Sequence, residues 1–164
     1  MAAADKVLSR DDLAARVAGE RAGRGKVVFT NGVFDLLHVG HVRYLEFARS
    51  LGGLLVVGVN SDASAALLGK GAGRPIVPAT QRAEVVAALG CVDYVCIFDE
   101  VRPDTTIRKL RPDIHVKSSQ YTKEDLPEAQ AVADVGGEVV LAPHVQSLST
   151  TDIVRRLQAQ ERAK

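Results

Sequence analysis

The chain has 164 residues, 46% hydrophobic and 25% charged, the balance of one soluble globular domain with room for a sizeable core. A net charge of +1 excludes an overall field that would hold nucleic acid or an anionic membrane surface, so an anionic ligand must be met by local cations and backbone amides. Cys91 and Cys96 lack metal-ligand spacing, no apolar run approaches the roughly 18 residues of a membrane span, and Met1-Ala-Ala-Ala-Asp5 lacks the basic and apolar regions of a secretory signal; together these predict a cytoplasmic protein with two buried reduced thiols.

Ser9, Asp11 and Asp12 are helix-capping types, and Leu13 and Val17 lie one turn apart, which predicts a helix over 9–21 on the outside of the domain, ended by Gly23 and Gly25. Lys26 to Thr30 reads as a buried strand. Val42, Leu45, Ala48 and Leu51 mark a helix over 39–51. A second strand (54–59), a helix (80–89), a third strand (94–98) and a short helix closed by Pro112 (105–110) follow. A fourth strand (114–116), a helix (130–135), a fifth strand (138–142) and a last helix (150–160) complete the chain. No repeat or linker divides it. The expectation is one domain over 1–164, with a helical extension over 1–24 and a core over 25–160. Continuous Val-rich strands alternating with helices predict an α/β fold, a doubly wound parallel five-stranded sheet of Rossmann-like type. Ligands of such sheets sit at the carboxyl ends of the strands, so the loops after residues 30, 59, 98, 117 and 142 are the places to search.

The first of these loops, Thr30-Asn-Gly-Val-Phe-Asp35-Leu-Leu-His38-Val-Gly-His41, leaves a buried strand, turns through Gly32 and enters a helix near Val39. Two histidines three residues apart at a helix start can share one side, and Gly40 between them leaves room for a phosphate to approach the backbone. The free N–H groups and positive dipole end of the helix complete a set of donors for a triphosphate, without a P-loop lysine. No GxGxxG follows the first strand, which disfavours a dinucleotide-dependent oxidoreductase. Ser149 and Asp152 have capping-box spacing at the start of the last helix, a second exposed helix N-terminus. His115, between Ile114 and Val116, reads as a core histidine; His144 follows the fifth strand at a ligand edge. No cluster has metal-ligand spacing.

The stretch Asn31-Gly-Val-Phe-Asp35-Leu-Leu-His38-Val-Gly-His41 resembles the HxGH signature of the cytidylyltransferase-like nucleotidyltransferases. The likeness continues through Val59-Asn-Ser-Asp62, Arg74-Pro-Ile-Val-Pro78, Gln81-Arg82, Val116-Lys117 and Ser149-Thr-Thr151, covering residues 26 to 158. Within that family the chain resembles the D-glycero-β-D-manno-heptose 1-phosphate adenylyltransferases, and the expectation is a stand-alone domain without the fused sugar kinase. Glycerol-3-phosphate cytidylyltransferases are more distant. The resemblance implies that His38 and His41 contact the triphosphate and stabilise charge on the α-phosphate, with Lys70 on its glycine-rich loop as a third catalytic group. It implies a nucleotide site built from Thr30, Asn31, Gly32, Phe34, His38, Gly40, His41, Lys117, Ser149, Thr150 and Thr151. Asp35, Asn60, Asp62, Lys70, Arg74, Arg82 and Tyr121 would face the substrate; for Asn60-Ser-Asp62 a helix-starting turn is the competing reading, and for Arg82 a surface position. ATP or another NTP, arriving with Mg²⁺ held largely by phosphates and water, would react with a small phosphorylated acceptor. The resemblance also implies a homodimer, with neither nucleic acid nor membrane as partner.

One segment departs from the heptose pattern. Where those enzymes typically carry Lys-Gly-Gly-Asp-Tyr, this chain has Lys117-Ser-Ser-Gln-Tyr121. Serine is less tolerant of positive φ than glycine, and glutamine lacks the carboxylate acceptor. The acceptor and the NTP therefore stay open between heptose 1-phosphate with ATP and a glycerol 3-phosphate-like substrate or phosphonate with another NTP. A nucleotide-binding sensor without turnover is the alternative of another class.

Overall fold

Buried apolar runs, Val27-Val-Phe29 and Leu54-Leu-Val-Val57, build the centre of the sheet. The computed structural model describes residues 1–69, 73–122, 125–144 and 149–162. The strands are β1 (Val27–Gly32), β2 (Leu54–Asn60), β3 (Tyr94–Phe98), β4 (Ile114–Ser118) and β5 (Glu138–Ala142), all parallel, in the order β3-β2-β1-β4-β5. The helices are α1 (Arg10–Arg24), α2 (Val39–Ser50), α3 (Asp62–Leu67), α4 (Ala79–Ala87), α5 (Asp104–Leu110), α6 (Ala129–Asp134) and α7 (Thr150–Arg162), with a 3-10 turn at Ala4–Lys6.

The two faces of the sheet carry separate apolar clusters, because successive strand residues point to opposite sides. Val28, Leu55, Val57 and Val59 meet Leu45 and Ala48 of α2 and Ala83 and Val86 of α4 on one face. Val27, Phe29, Leu54 and Val56 meet Leu13 and Val17 of α1, Ile107 and Leu110 of α5 and Val132 of α6 on the other. A sheet covered on both faces is the doubly wound arrangement expected. Helix α1, expected outside the domain, supplies fully buried Leu13 and Val17 to this second cluster. It also runs through Gly23 to Arg24 and is capped by Gly25, whose φ of 79° suits glycine; the expectation that Gly23 ends the helix is corrected. Cys96 is buried and burial pushes its thiol up to about 12, but Cys91 is only half-buried, which corrects the expectation of two buried thiols.

The amino edge of the sheet is closed by two aspartates in equivalent places. Asp93, just before β3, accepts from the Leu55 N–H (2.8 Å) and pairs with Arg24 (2.7 Å). Asp113, just before β4, accepts from the Val27 N–H (2.7 Å) and pairs with Arg21 (2.9 Å). Gly53 passes so close to Arg24 that a Cβ would lie 1.4 Å from its carbonyl oxygen, so only glycine fits there. The carboxyl edge is left for ligands. Chain order reverses between β1 and β4: β2 and β3 lie to one side of β1, and β4 and β5 to the other, so the switch point lies at Asn31-Gly32 and Lys117-Ser118. Among the described residues no helix is long and apolar enough to cross a membrane.

Candidate active site

The β1–α2 loop turns sharply beyond the sheet, with Phe34 at φ 50°, an uncommon value for a bulky side chain that is often found at functional loops. The Phe34 ring is buried in the core and meets the His41 ring edge-on, with centroids 5.4 Å apart. Phe34, expected in the nucleotide site, thus backs His41. The His38 and His41 rings lie 3.9 Å apart, tilted by 31°. The spacing of three does bring both imidazoles to one place.

His38 is the N-cap of α2, and its Nδ1 accepts the Gly40 N–H at 3.1 Å. An Nδ1 that accepts cannot carry the proton of a neutral imidazole, so Nε2–H is the donor available to a ligand. Burial lowers the His38 pKa from 6.5, partly opposed by the Asp152 carboxylate. His38 is therefore a donor that needs no imidazolium.

The start of α7 lies beside this loop. Ser149 and Asp152 form the reciprocal capping box: Asp152 N donates to Ser149 Oγ (3.2 Å), and Ser149 N and Oγ donate to Asp152 Oδ2 (2.8 and 2.7 Å). Thr150 Oγ1 donates to the Leu36 carbonyl at 3.2 Å, tying α7 to the β1–α2 loop. Ser149 and Thr151 stay exposed. The starts of α2 and α7 thus lie together beyond the switch point.

Several residues expected at the substrate instead hold this frame. Asp35 is buried; its Oδ1 accepts the Ile76 and Val77 N–H groups (2.8 and 3.0 Å), and its Oδ2 lies 3.4 Å from Arg74 Nη1. The Arg74 Nη2 reaches the Thr150 carbonyl at 3.5 Å, so one guanidinium connects the first loop to α7. Arg82 is not on the surface: it is fully buried, donating to the carbonyls of Val77 (2.7 Å), Val33 and Asn60 (2.9 Å) and to Asp62 Oδ1 (2.7 Å). It joins the ends of β1 and β2 to α4. Asn60 is buried, its Nδ2 donating to Ser64 Oγ (3.1 Å), and Ser61 caps α3, so this segment is a helix-starting turn. Asp62 keeps a half-exposed carboxylate.

At the switch point, Thr30 is buried, with Oγ1 3.0 Å from the Val116 carbonyl and 2.7 Å from the Tyr44 hydroxyl, itself 2.8 Å from the same carbonyl. Two hydroxyl protons cannot fill three such contacts, so the set acts as a shared clamp between α2, β1 and β4. Burial pushes the Tyr44 phenol up, which keeps it a donor. Lys117 Nζ lies 3.2 Å from Asn31 Oδ1, 2.8 Å from Glu128 Oε1 and 5.5 Å from the centre of the half-exposed Tyr121 ring. In the departing segment, none of Ser118, Ser119 and Gln120 has positive φ; Ser118 Oγ accepts the Gln120 N–H (3.3 Å) and its carbonyl the Tyr121 N–H (3.2 Å). The turn therefore needs no glycine.

His115 is fully buried, as expected, with Nε2 3.3 Å from Glu128 Oε1. Glu128 was not foreseen; a lone glutamate before a short helix reads as a macrodipole complement, and only a buried histidine needing a partner pointed toward an acceptor. Burial alone would raise Glu128, but the His115 hydrogen bond and the Lys117 ammonium hold its carboxyl at about 2. Burial lowers the His115 pKa, partly opposed by the Glu128 hydrogen bond. His144 is exposed beyond β5. Lys70, with residues 71–72, and Ser147 lie outside the described residues. Among the described residues no group of three or more His, Cys, Asp or Glu side chains is placed to hold a metal ion.

These shifts set a pH dependence for folding. His38 and His115 bind protons less readily folded than unfolded, where 6.5 is usual, so their contribution is complete above pH 6.5 and lost as pH falls through the folded values. The Glu128 contribution is complete above 4.5 and lost as pH falls toward about 2. The urea midpoint is expected to be level from pH 8 to 7 and to decline on acidification below 6.5. His115→Gln should make the first decline shallower; a midpoint that rises on acidification would contradict this.

Residues 29–156 match the family described as cytidylyltransferase-like. The chain belongs to the cytidylyltransferase-like family. It is a nucleotidyltransferase, and the paired histidines, two helix N-termini and switch-point lysine form its candidate active site. Curated relatives named "Bifunctional protein HldE" are 49% identical over 152 residues in Geobacter sulfurreducens, covering 93% of this chain and 31% of that protein, and 49% identical over 146 residues in Streptomyces coelicolor, covering 89% and 31%. The chain thus spans about a third of the length of these relatives. Among solved structures, the lipopolysaccharide core biosynthesis protein of Thermoplasma volcanium superposes with a TM-score of 0.62 at 28% identity, covering 75% of this chain and 98% of that one. Pantothenate synthetase of Thermus thermophilus, at 19% identity and a TM-score of 0.57, covers 94% of this chain and 70% of that one and shares the fold.

Proposed function

We propose that this nucleotidyltransferase transfers AMP from MgATP to a sugar 1-phosphate, heptose 1-phosphate in the first instance, releasing pyrophosphate. An oxygen of the sugar phosphate attacks the α-phosphorus, a new P–O–P bond forms, and the bond from the α-phosphorus to the bridging oxygen breaks as pyrophosphate leaves. No side-chain nucleophile is required. The observation that carries the reading is the His38–His41 pair, 3.9 Å apart at the N-terminus of α2 and flanked by the start of α7, a fixed array of donors for a charge that grows on the α-phosphate. Lys70 would add a cation from its glycine-rich loop once both substrates are bound.

Asp35, Asp62 and Asp152 are engaged by protein donors, which fits Mg²⁺ arriving as part of the nucleotide substrate and held by phosphates and water. The sugar acceptor is supported by the likeness to the heptose enzymes and by the 47–49% identity to the HldE relatives. The reading carries with it a cytoplasmic homodimer. A second reading, a cytidylyltransferase acting on glycerol 3-phosphate, is favoured by the Ser118-Ser119-Gln120 turn, which dispenses with both glycines and the carboxylate.

Pyrophosphate release separates these. ATP, CTP, GTP and UTP would each be paired with heptose 1-phosphate, other sugar 1-phosphates and glycerol 3-phosphate. Turnover is expected with ATP and heptose 1-phosphate. Turnover only with CTP and glycerol 3-phosphate would move the assignment to the second reading, and nucleotide binding without pyrophosphate from any pair would favour a sensor.

A further inference from the structure

We infer that Glu128 is a positioning residue of the nucleotide site: its carboxylate fixes the Lys117 ammonium, and through it the side-chain amide of Asn31, where β1 and β4 diverge. The inference rests on the nucleotidyltransferase reading above.

Glu128 stands at the N-cap of α6, yet its side chain makes no capping hydrogen bond. It turns inward, is 4% exposed, and meets Lys117 Nζ at 2.8 Å and His115 Nε2 at 3.3 Å with the same oxygen. Burying a carboxylate is costly unless donors surround it, and here they come from two neighbouring positions of β4. Residues 115 and 117 alternate with Val116, so both side chains project to one face of the sheet. His115 lies behind, its pKa lowered by burial, and an Nε2–H facing Glu128 Oε1 suits a carboxylate acceptor. Among the described residues Lys117 is the lysine or arginine in direct contact with Glu128.

Fixing Lys117 has a consequence one residue further out. An ammonium has donors and no acceptor, so the atom of Asn31 facing it at 3.2 Å must be Oδ1. That fixes the amide flip and leaves the Nδ2 donors at the other end of the group, at the carboxyl edge of β1. A free lysine samples many rotamers and an unpartnered asparagine two flips; the Glu128 contact removes that freedom before the nucleotide arrives.

The test combines nuclear magnetic resonance with calorimetry on the full chain. In the ¹⁵N–¹H spectrum of the nucleotide-free protein, the Asn31 side-chain amide peaks, assigned with Asn31→Asp, should move in Glu128→Gln while backbone peaks of the remote α1 stay in place. MgATP titrated without acceptor should bind Glu128→Gln at least about tenfold more weakly than wild type, as loss of a charge-assisted contact gives. In a Lys117→Met background the same change should add little, because Glu128 acts through Lys117. Unmoved Asn31 peaks, unchanged or tighter MgATP binding in Glu128→Gln, or a full additive loss in the double variant would overturn the inference. A wild-type protein that binds neither MgATP nor MgCTP would bring down the nucleotidyltransferase reading itself, and this inference with it. Should Glu128→Gln not fold, Lys117→Met tests the outer link: Asn31 amide peaks that do not move there overturn it too.

Discussion

Replacing His41 with alanine is expected to lower kcat for pyrophosphate release about a hundred- to a thousand-fold, the range for losing one preorganised donor aimed at developing charge. The KM for NTP should change far less, because α2, α7 and Lys117 still hold the nucleotide in this account. His38 needs a different substitution, since it also caps α2 through Nδ1. Asparagine is a good N-cap, so His38→Asn should keep the thermal midpoint near wild type while losing about a hundredfold in kcat. His38→Ala should lose the same activity and, in addition, about 1 kcal/mol of stability with the cap. Steady-state kinetics alongside thermal melts would check the three variants together. Activity that follows stability across them, with His38→Asn fully active, would mean that the histidines only build the helix.

Arg82→Met is expected to cost about 3–5 kcal/mol of folding stability. The guanidinium is fully buried and donates to three backbone carbonyls and one carboxylate. Methionine has similar bulk but no donors, so the acceptors at Val33, Asn60 and Val77 would be left short of partners. Lysine in place of arginine should recover little, because one ammonium cannot fork to the four acceptors. Urea denaturation at pH 7.5 measures the loss. The same variants decide whether Arg82 binds phosphate: if MgATP affinity collapses while stability is unchanged, the guanidinium reaches the ligand and its burial in the frame is incidental.

The strands were legible because the sheet is covered on both faces, so the central ones read as continuous apolar runs and the others as short apolar-rich ones; their starts and ends agree to within two residues. Helix α3 was legible only as a turn that begins a helix, since Ser61 rather than Asn60 supplies the cap and six residues are too few to show a period. The strand order comes from packing between segments distant in sequence, which no local pattern encodes. The same division holds at the site. His38 and His41 are local: three residues and a helix start suffice to pair them. The capping box at Ser149 and Asp152 is local too. Arg82 and Glu128 owe their roles to burial produced by the fold, and in sequence each looks like an ordinary charge on a helix. Asp35 belongs between the two kinds. It stands inside the signature, but its partners at Ile76 and Val77 lie over forty positions away and became visible only when the loop closed on it.

The central claim is that the paired histidines serve transfer of a nucleotidyl group, and the fate of labelled phosphorus tests it most directly. The purified chain would be incubated with Mg²⁺, heptose 1-phosphate and ATP labelled at either the α- or the γ-phosphate. The account predicts that α-label enters a sugar nucleotide, that γ-label appears in pyrophosphate, and that His41→Ala slows both about a hundred- to a thousand-fold. Label from the γ-phosphate on the acceptor, or released as orthophosphate, would contradict it.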